Sequence, residues 1–83
     1  MIIGAQMRAG RAALNWSIED LAAKSEVSVR TIKRLEAVDG IASTRAQTLI
    51  AIQNAIEAAG IEFIGTPTDR PGIRLLVAPK SGK

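Results

Sequence analysis

The first part of the chain repeats apolar residues at steps of three and four, the spacing that places side chains along one face of an α-helix. Across residues 4–14 this face carries Met7, Gly10 and Leu14. A glycine within a helix costs up to about 1 kcal/mol relative to alanine, so we expect Gly10 to mark a close approach to another element. Asn15 tolerates the left-handed conformation that ends many helices. The pattern predicts a first helix over residues 4–14.

Two shorter helical patterns follow, each introduced by a serine. Ser17, with Asp20 three residues later, has the form of a capping box, in which each side chain binds the backbone N–H of the other. It predicts a second helix over residues 18–24. Ser28 is a second N-cap and predicts a third helix over residues 29–37. Since only a few residues separate these two helices, they form a predicted helix-turn-helix.

The two faces of this predicted motif differ in chemistry. Its core-facing positions are apolar, namely Leu21, Ala22, Val27, Ile32 and Leu35. The opposite face of the third helix carries Arg30, Lys33 and Arg34, and the window of residues 28–34 contains no acid. A basic stretch on a helix is usually a solvated face, so the charge gains meaning only together with the motif around it.

A fourth helix is predicted over residues 45–59, with Ser43 or Thr44 as its N-cap and Gly60 after its last turn. Its apolar stripe consists of Leu49, Ile52 and Ile56. The three side chains recur at helical spacing and are expected to face the core.

From residue 61 onward the pattern changes to short runs of β-branched and other apolar residues. Residues 61–64 and 73–77 predict two strands, and segment 66–71 between them, rich in proline and threonine, predicts a long hairpin loop. The last residues, 78–83, are expected to fray. The predicted fold class is mainly α, with four helices and a C-terminal β-hairpin in a single domain of residues 1–83.

Composition restricts both the core and the chemistry. Hydrophobic residues make up 47% of the chain but aromatic residues only 2%, namely Trp16 and Phe63, so the core must be largely aliphatic. We expect Trp16 to pack in that core, although its indole N–H also suits a phosphate. The chain has no cysteine and no histidine, so disulfides, the usual zinc ligands and the commonest general base are missing.

The acidic residues offer no catalytic arrangement either. Glu19 and Asp20 are adjacent on a predicted helix, where neighbouring side chains diverge by about 100° and cannot converge on a substrate. We therefore expect no catalytic residues, no metal site and no cofactor.

The net charge is +3 and the sequence pI about 10.0. This mild excess of positive charge gives weak support for a nucleic-acid partner by itself. No apolar run reaches the length of a membrane span, and the amino-terminal residues lack the pattern of a secretion signal. We expect no membrane partner and a cytoplasmic location.

Residues 17–36, with the sequence SIEDLAAKSEVSVRTIKRLE, resemble the helix-turn-helix of Cro and phage-repressor type regulators, the XRE family. Residues 6–9, 14–16 and 58–64 resemble the flanking parts of small stand-alone members of that family. The resemblance implies a four-helix, repressor-like domain that binds double-stranded DNA as a homodimer. It also implies a transcriptional regulator, more often a repressor, that associates with the nucleoid.

The same resemblance assigns two sets of DNA contacts. The residues implied to read base edges are Ser28, Val29, Arg30 and Arg34. The residues implied to contact the DNA backbone are Ser17, Thr31, Lys33, Thr44 and Arg45. The chemistry fits these roles, because arginine forks onto guanine and valine presses against a thymine methyl group. Lysine and the amino ends of helices are suited to phosphate.

Four further positions take their interpretation from the resemblance. Arg11 and Glu36 match residues that form a buried ion pair in related repressors, which would orient the first helix against the third. Ile18 stands where many relatives carry a phosphate-binding glutamine, so we expect that contact to be absent. Glu26 occupies a turn position usually held by glycine, where a left-handed conformation costs other residues about 1–2 kcal/mol.

The domain divides into a helical DNA-binding core, residues 1–60, and the hairpin, residues 61–77, which we expect to mediate dimerisation. An isolated hairpin is marginal in water and leaves an unpaired strand edge. Its apolar side chains also exceed what one face can bury, and a two-fold homodimer would satisfy both conditions. The alternative is a hairpin folded as a lid onto its own helices. For function, the alternative is an antitoxin-like module that binds a protein partner, with DNA binding secondary.

Overall fold

The computed structural model describes residues 1–76 as four helices followed by an antiparallel hairpin. The elements are α1 (Gly4–Ala13), α2 (Ile18–Ser25), α3 (Val29–Glu36), α4 (Ala46–Ala58), β1 (Ile61–Thr66) and β2 (Asp69–Leu75). The predicted fold class is confirmed, and the first three helices match their predicted bounds to within one residue. Val77, predicted to end the second strand, and the predicted frayed tail of residues 78–83 lie outside the described residues.

The core lies between the four helices and the inner face of the hairpin. Its fully buried side chains are aliphatic apart from the thioether of Met7: Ile2, Met7, Leu21, Ile32, Leu35, Ile52, Ile56 and Ile61. Gly10 allows α1 to approach this core closely, because a Cβ atom there would lie 2.9 Å from Cγ2 of Ile56. The close approach expected at Gly10 is therefore confirmed.

The predicted serine caps are confirmed at both helices of the motif. Ser17 Oγ accepts a hydrogen bond from the backbone N–H of Asp20 at 3.0 Å, and Asp20 Oδ2 accepts one from the N–H of Ser17 at 2.9 Å. Ser28 Oγ accepts from the N–H of Thr31 at 3.1 Å. Each cap satisfies a backbone donor that has no partner within the helix. Local sequence thus sets where α2 and α3 begin.

The predicted cap of the fourth helix is wrong. Arg45 is the N-cap residue of α4, with extended backbone at φ −70° and ψ 142°, and neither Ser43 nor Thr44 caps the helix. The chain stays irregular up to Arg45 because Ala42 is held in the core and the Ser43 carbonyl is held by α3. These tertiary contacts delay the helix past the residues whose local chemistry would have started it.

Two residues other than glycine adopt the left-handed conformation at the ends of helices. Asn15, after α1, has φ 59°, as expected from its side chain. Glu26, after α2, also has φ 59°. Its backbone N–H donates to the Ala22 carbonyl at 2.9 Å and closes the helix. The turn of the motif therefore keeps the geometry that glycine would favour, with a residue for which it is strained.

The predicted long hairpin loop is wrong. β1 and β2 continue to a tight turn at Pro67 and Thr68, with Thr66 paired to Asp69. Between the pairs Ile64–Gly72 and Thr66–Asp69 the register shifts, so that two residues of β2 oppose one of β1. This bulge contains Pro71, and a proline without an N–H is tolerated in a strand at such a position. The prolines that suggested a loop therefore belong to the strand and to its turn.

The hairpin packs with one face on its own helices. Ile61 is fully buried, and Phe63 and Ile73 pack against the core. The hairpin is expected to have more apolar side chains than one face can bury. This holds only at its end, where Leu75 and Leu76 are 45% and 60% exposed. The hairpin therefore has the contacts expected of a lid, and it keeps two exposed leucines beyond them.

Candidate nucleic-acid interface

α3 presents two faces of opposite character. Ile32, Leu35 and Glu36 are buried, whereas Arg30 and the two basic residues of its last turn are exposed. Glu36 is the only acid of the helix. Because this carboxylate points inward, the exposed surface of α3 carries positive charge alone. The structure thus brings Arg30, Lys33 and Arg34 together on one side of the molecule.

The first turn of α3 places two hydroxyl groups next to each other. Ser28 Oγ, besides capping the helix, donates a hydrogen bond to Thr31 Oγ1 at 2.9 Å. The Thr31 hydroxyl is then left with its own proton to donate outward. Ser28 is exposed, and Val29 and Thr31 are half-buried. A free donor at the edge of a basic surface is suited to an anionic acceptor.

The two arginines of α3 are held differently. Arg34 Nη1 donates to the Ser43 carbonyl at 2.8 Å, so its guanidinium is fixed against the segment that leads to α4. Within residues 1–76, neither Arg30 nor Lys33 has a hydrogen bond or an ion pair from its side chain to another residue, and both are exposed. Arg30 and Lys33 are therefore free to move towards a ligand, whereas Arg34 is already oriented.

The amino ends of α2 and α4 differ in their fitness for an anion. The capping box of Ser17 occupies donors at the start of α2, and Glu19 and Asp20 stand in its first turn. α4 has no side-chain cap and no acid in its first turn, and Arg45 precedes it. The exposed guanidinium of Arg45 and the half-buried Thr44 lie beside this amino end. Helix N–H groups without a cap attract anions, so the amino end of α4 is better suited to an anion than that of α2.

The predicted ion pair between Arg11 and Glu36 is confirmed. Arg11 Nε donates to Glu36 Oε2 at 3.0 Å, and Nη2 donates to Oε1 at 2.8 Å. The hydrogen bond to Glu36 raises the pKa of the Arg11 guanidinium above its usual value, against the opposing effect of partial burial. Arg11 Nη1 also donates to the Trp16 carbonyl at 3.1 Å. One guanidinium thus ties together α1, α3 and the start of α2.

Trp16 packs against the core, as expected. The ammonium group of Lys24 lies over its ring, 5.4 Å from the ring centroid. A cation over an aromatic face is attracted by the negative charge of the ring. This contact links the last turn of α2 to Trp16, which lies just before the helix.

Two residues with long-range contacts were not found from the sequence. Gln6 is buried, and its Nε2 donates to the carbonyls of Ile64 and Gly72 at 3.1 and 2.9 Å, which fixes both strands of the hairpin to α1. Arg8 donates to the Glu36 carbonyl and to the carboxylate of Asp39 at the end of α3. The only signal for Gln6 is its place three residues into α1, where its Oε1 accepts from the Ile3 N–H at 3.0 Å as in a capping box.

Comparison with known proteins gives a match at the level of the family. A family model described as helix-turn-helix matches residues 7–58, more than half of the 83 residues. The matched span contains α2, α3, α4 and most of α1, and it ends before β1. No match was found among the curated proteins. None of the helices between residues 1 and 76 combines the length and apolar character of a membrane span.

Proposed function

Since the chain belongs to the helix-turn-helix family of XRE-type DNA-binding regulators, we propose that it is a sequence-specific repressor that reads duplex DNA as a homodimer. The observation that carries this proposal is the exposed face of α3. Arg30, Lys33 and Arg34 share it with no acid, because Glu36 is turned inward. A capped helix with such a face fits a major groove about 12 Å wide.

Within this proposal, the base edges are read from the amino-terminal half of α3 and from Arg34. Arg30 and Arg34 are one helical turn apart, and each has the paired donors that match guanine O6 and N7. Val29 offers its methyl groups to thymine. Ser28 has less freedom than the others, because its hydroxyl already caps α3 and donates to Thr31.

The phosphate contacts of the proposal flank this reading surface. Lys33 is exposed and unpaired within the described part of the chain, and Thr31 has a hydroxyl proton to donate. Thr44 and Arg45 stand at the uncapped amino end of α4. Ser17 contacts phosphate more weakly than these residues, because the acids in the first turn of α2 repel phosphate.

Dimerisation is assigned to the hairpin. Regulators of this kind read two half-sites whose centres lie about 34 Å apart, which requires two copies related by a two-fold axis. Leu75 and Leu76 form the exposed apolar end of the hairpin, and the backbone of Leu76 is fixed to the Gly60 carbonyl at 2.8 Å. A rigid, exposed pair of leucines is suited to an isologous contact. Within this proposal, the protein acts in the cytoplasm on the DNA that it regulates.

Selection of bound sites from a random duplex pool tests the proposal. We expect a two-fold symmetric consensus with half-sites about 10 base pairs apart, and no enrichment with the variant R30A/K33A. A pool that stays unenriched with the unaltered protein would contradict sequence-specific binding. If a second protein then co-purifies with the chain from its native cell in equal amounts, the antitoxin-like alternative is supported.

A further inference from the structure

The fixed guanidinium of Arg34 joins the base-reading surface to the phosphate-binding segment. Its Nη1 donates to the Ser43 carbonyl at 2.8 Å, although the side chain is exposed and has solvent available. Ser43 is followed directly by Thr44 and Arg45, the residues proposed to contact phosphate from the start of α4. One hydrogen bond therefore links α3 to the segment that carries a different class of DNA contact.

The bond leaves Arg34 able to bind a base. A guanidinium has five N–H donors in a planar fork, and Nη1 uses one of them on Ser43. Nε and Nη2 form a second edge with two parallel donors, and this edge is the match for guanine O6 and N7. Arg34 can therefore hold the Ser43 carbonyl and a guanine at the same time, which a lysine with its single ammonium group does not do in the same geometry.

Apart from Arg34, the segment is held by Ala42 in the core and by the Arg45 carbonyl, which accepts from the N–H groups of residues 48 and 49, but it has no other side-chain hydrogen bond among residues 1–76. Arg45 caps α4 without any side-chain hydrogen bond, and Ser43 and Arg45 are exposed. Arg30 lies one turn earlier on α3 and has no bond to this segment among residues 1–76. Arg34 thus differs from Arg30 in the feature that matters, and Arg30 provides a matched control.

We propose that Arg34 is a positioning residue. Its hydrogen bond to the Ser43 carbonyl, called the latch below, holds the segment between α3 and α4 in place, so that the phosphate contact of Arg45 depends on it. The proposal rests on the DNA-binding function proposed above and deepens it. Arg34 fixes the distance between the base-reading residues of α3 and the phosphate contact of Arg45. As a result, α3 and the amino end of α4 bind DNA as one unit. Without the latch, Arg45 must be ordered at each binding event.

A double-variant cycle on the selected operator tests the coupling. Removing one phosphate contact lowers the slope of log K against log salt by about 0.9. Because the homodimer carries two copies of Arg45, we expect R45A to lower the slope by about 1.8 in the unaltered protein and in R30A, but by little in R34A. The slope reductions of R34A and R45A should therefore not add in the double variant, whereas those of R30A and R45A should. Additive reductions in both cycles would overturn the proposal.

The conservative variant separates positioning from base reading. R34K retains a donor for the Ser43 carbonyl, so it should restore the contribution of Arg45 to the slope, while base preference at the position read by Arg34 stays relaxed. A variant R34K that behaves as R34A in both respects would contradict the latch.

Amide hydrogen exchange of the DNA-free protein tests the latch without reference to binding. Exchange at residues 48 and 49, whose N–H groups donate to the Arg45 carbonyl at 3.1 and 3.3 Å, should be several-fold faster in R34A than in the unaltered protein or in R30A, and near normal in R34K. Unchanged exchange in R34A would overturn the latch even if DNA binding is established. If the unaltered protein binds no duplex, the proposed function fails and the coupling fails with it, whatever the exchange rates show.

Discussion

The carboxylate of Glu36 receives two hydrogen bonds from the guanidinium of Arg11, at 2.8 and 3.0 Å, while its side chain is only 5% exposed. Besides stabilising the fold, this pair determines the charge of the outer side of α3. It places the single acid of α3 on the inner side of the helix, where its charge is compensated, and leaves the outer side uniformly basic. The surface proposed to meet DNA therefore depends on a contact made at the opposite face of the helix.

Removing one member of this pair should be costly. R11A leaves the buried carboxylate of Glu36 without its partner, and breaking a buried pair in this way costs about 3–5 kcal/mol. The double variant R11M/E36L replaces both charges by apolar groups and should recover most of the loss. Urea unfolding followed by the fluorescence of Trp16 measures both. The control is R74A, which breaks the exposed pair with Glu62 and should cost no more than about 1 kcal/mol.

Glu26 should be improved by replacement with glycine. Its φ of 59° is strained for a residue with a Cβ atom, and its side chain is exposed. E26G should raise the free energy of unfolding by about 1 kcal/mol. The control A23G, at an exposed position within α2, should lower it by about the same amount. A lower unfolding midpoint for E26G would show that the glutamate makes a contact worth more than the strain.

The features found from the sequence are those decided by nearby residues. The caps of Ser17 and Ser28 and the left-handed Asn15 bind or bend backbone within three or four positions, so their chemistry is visible in the sequence. The pair of Arg11 and Glu36 spans 25 residues and was expected only from the resemblance to a family. Family knowledge supplied the long-range information that local patterns lack.

The missed features have partners far away in the chain. Gln6 binds carbonyls 58 and 66 residues later, and a glutamine near the start of a helix gives no sign of such partners. α4 begins only after Arg45, and the contacts beside its start, Ala42 in the core and Arg34 on the Ser43 carbonyl, are not visible in the local preference of Ser43 and Thr44 for capping. The hairpin itself is predicted, but segment 66–71 is predicted as its loop because proline usually interrupts a strand, and the bulge that accommodates Pro71 is a property of the paired strands.

Lys33 should contribute to affinity without contributing to sequence preference. As an exposed ammonium group beside the reading surface it is suited to phosphate, which is the same in every sequence. K33A should weaken binding to all duplexes alike and lower the salt slope by about 0.9 for each phosphate that the lysine neutralises. The control R70A removes a 90% exposed charge from the hairpin and should leave the slope unchanged. Binding that does not respond to salt would contradict the proposed interface.

Arg30 should contribute to the preference of the protein for particular DNA sequences. Its side chain is exposed and makes no bond within residues 1–76, so R30A is expected to fold as the unaltered protein does. It should lose about 1–3 kcal/mol of binding free energy per half-site and relax the consensus at one position. Repeating the duplex selection with R30A measures this position directly. An unchanged consensus and an unchanged affinity would show that Arg30 does not face the bases.

The role of the hairpin in dimerisation is best tested by point variants at its exposed end. Truncation after Gly60 would remove Ile61, which is fully buried, and so would damage the monomer together with any dimer contact. L75S/L76S instead alters two side chains that are 45% and 60% exposed, and the control I50S alters one on α4 that is 54% exposed. We expect L75S/L76S to be monomeric by light scattering, with a near-normal unfolding midpoint, and I50S to remain a dimer. Without the second half-site, operator affinity should fall by about 10²- to 10⁴-fold, since binding of the second subunit is no longer intramolecular. If I50S is the monomeric variant and L75S/L76S stays a dimer, the interface lies on α4, and the hairpin acts only as a lid that Gln6 holds on α1.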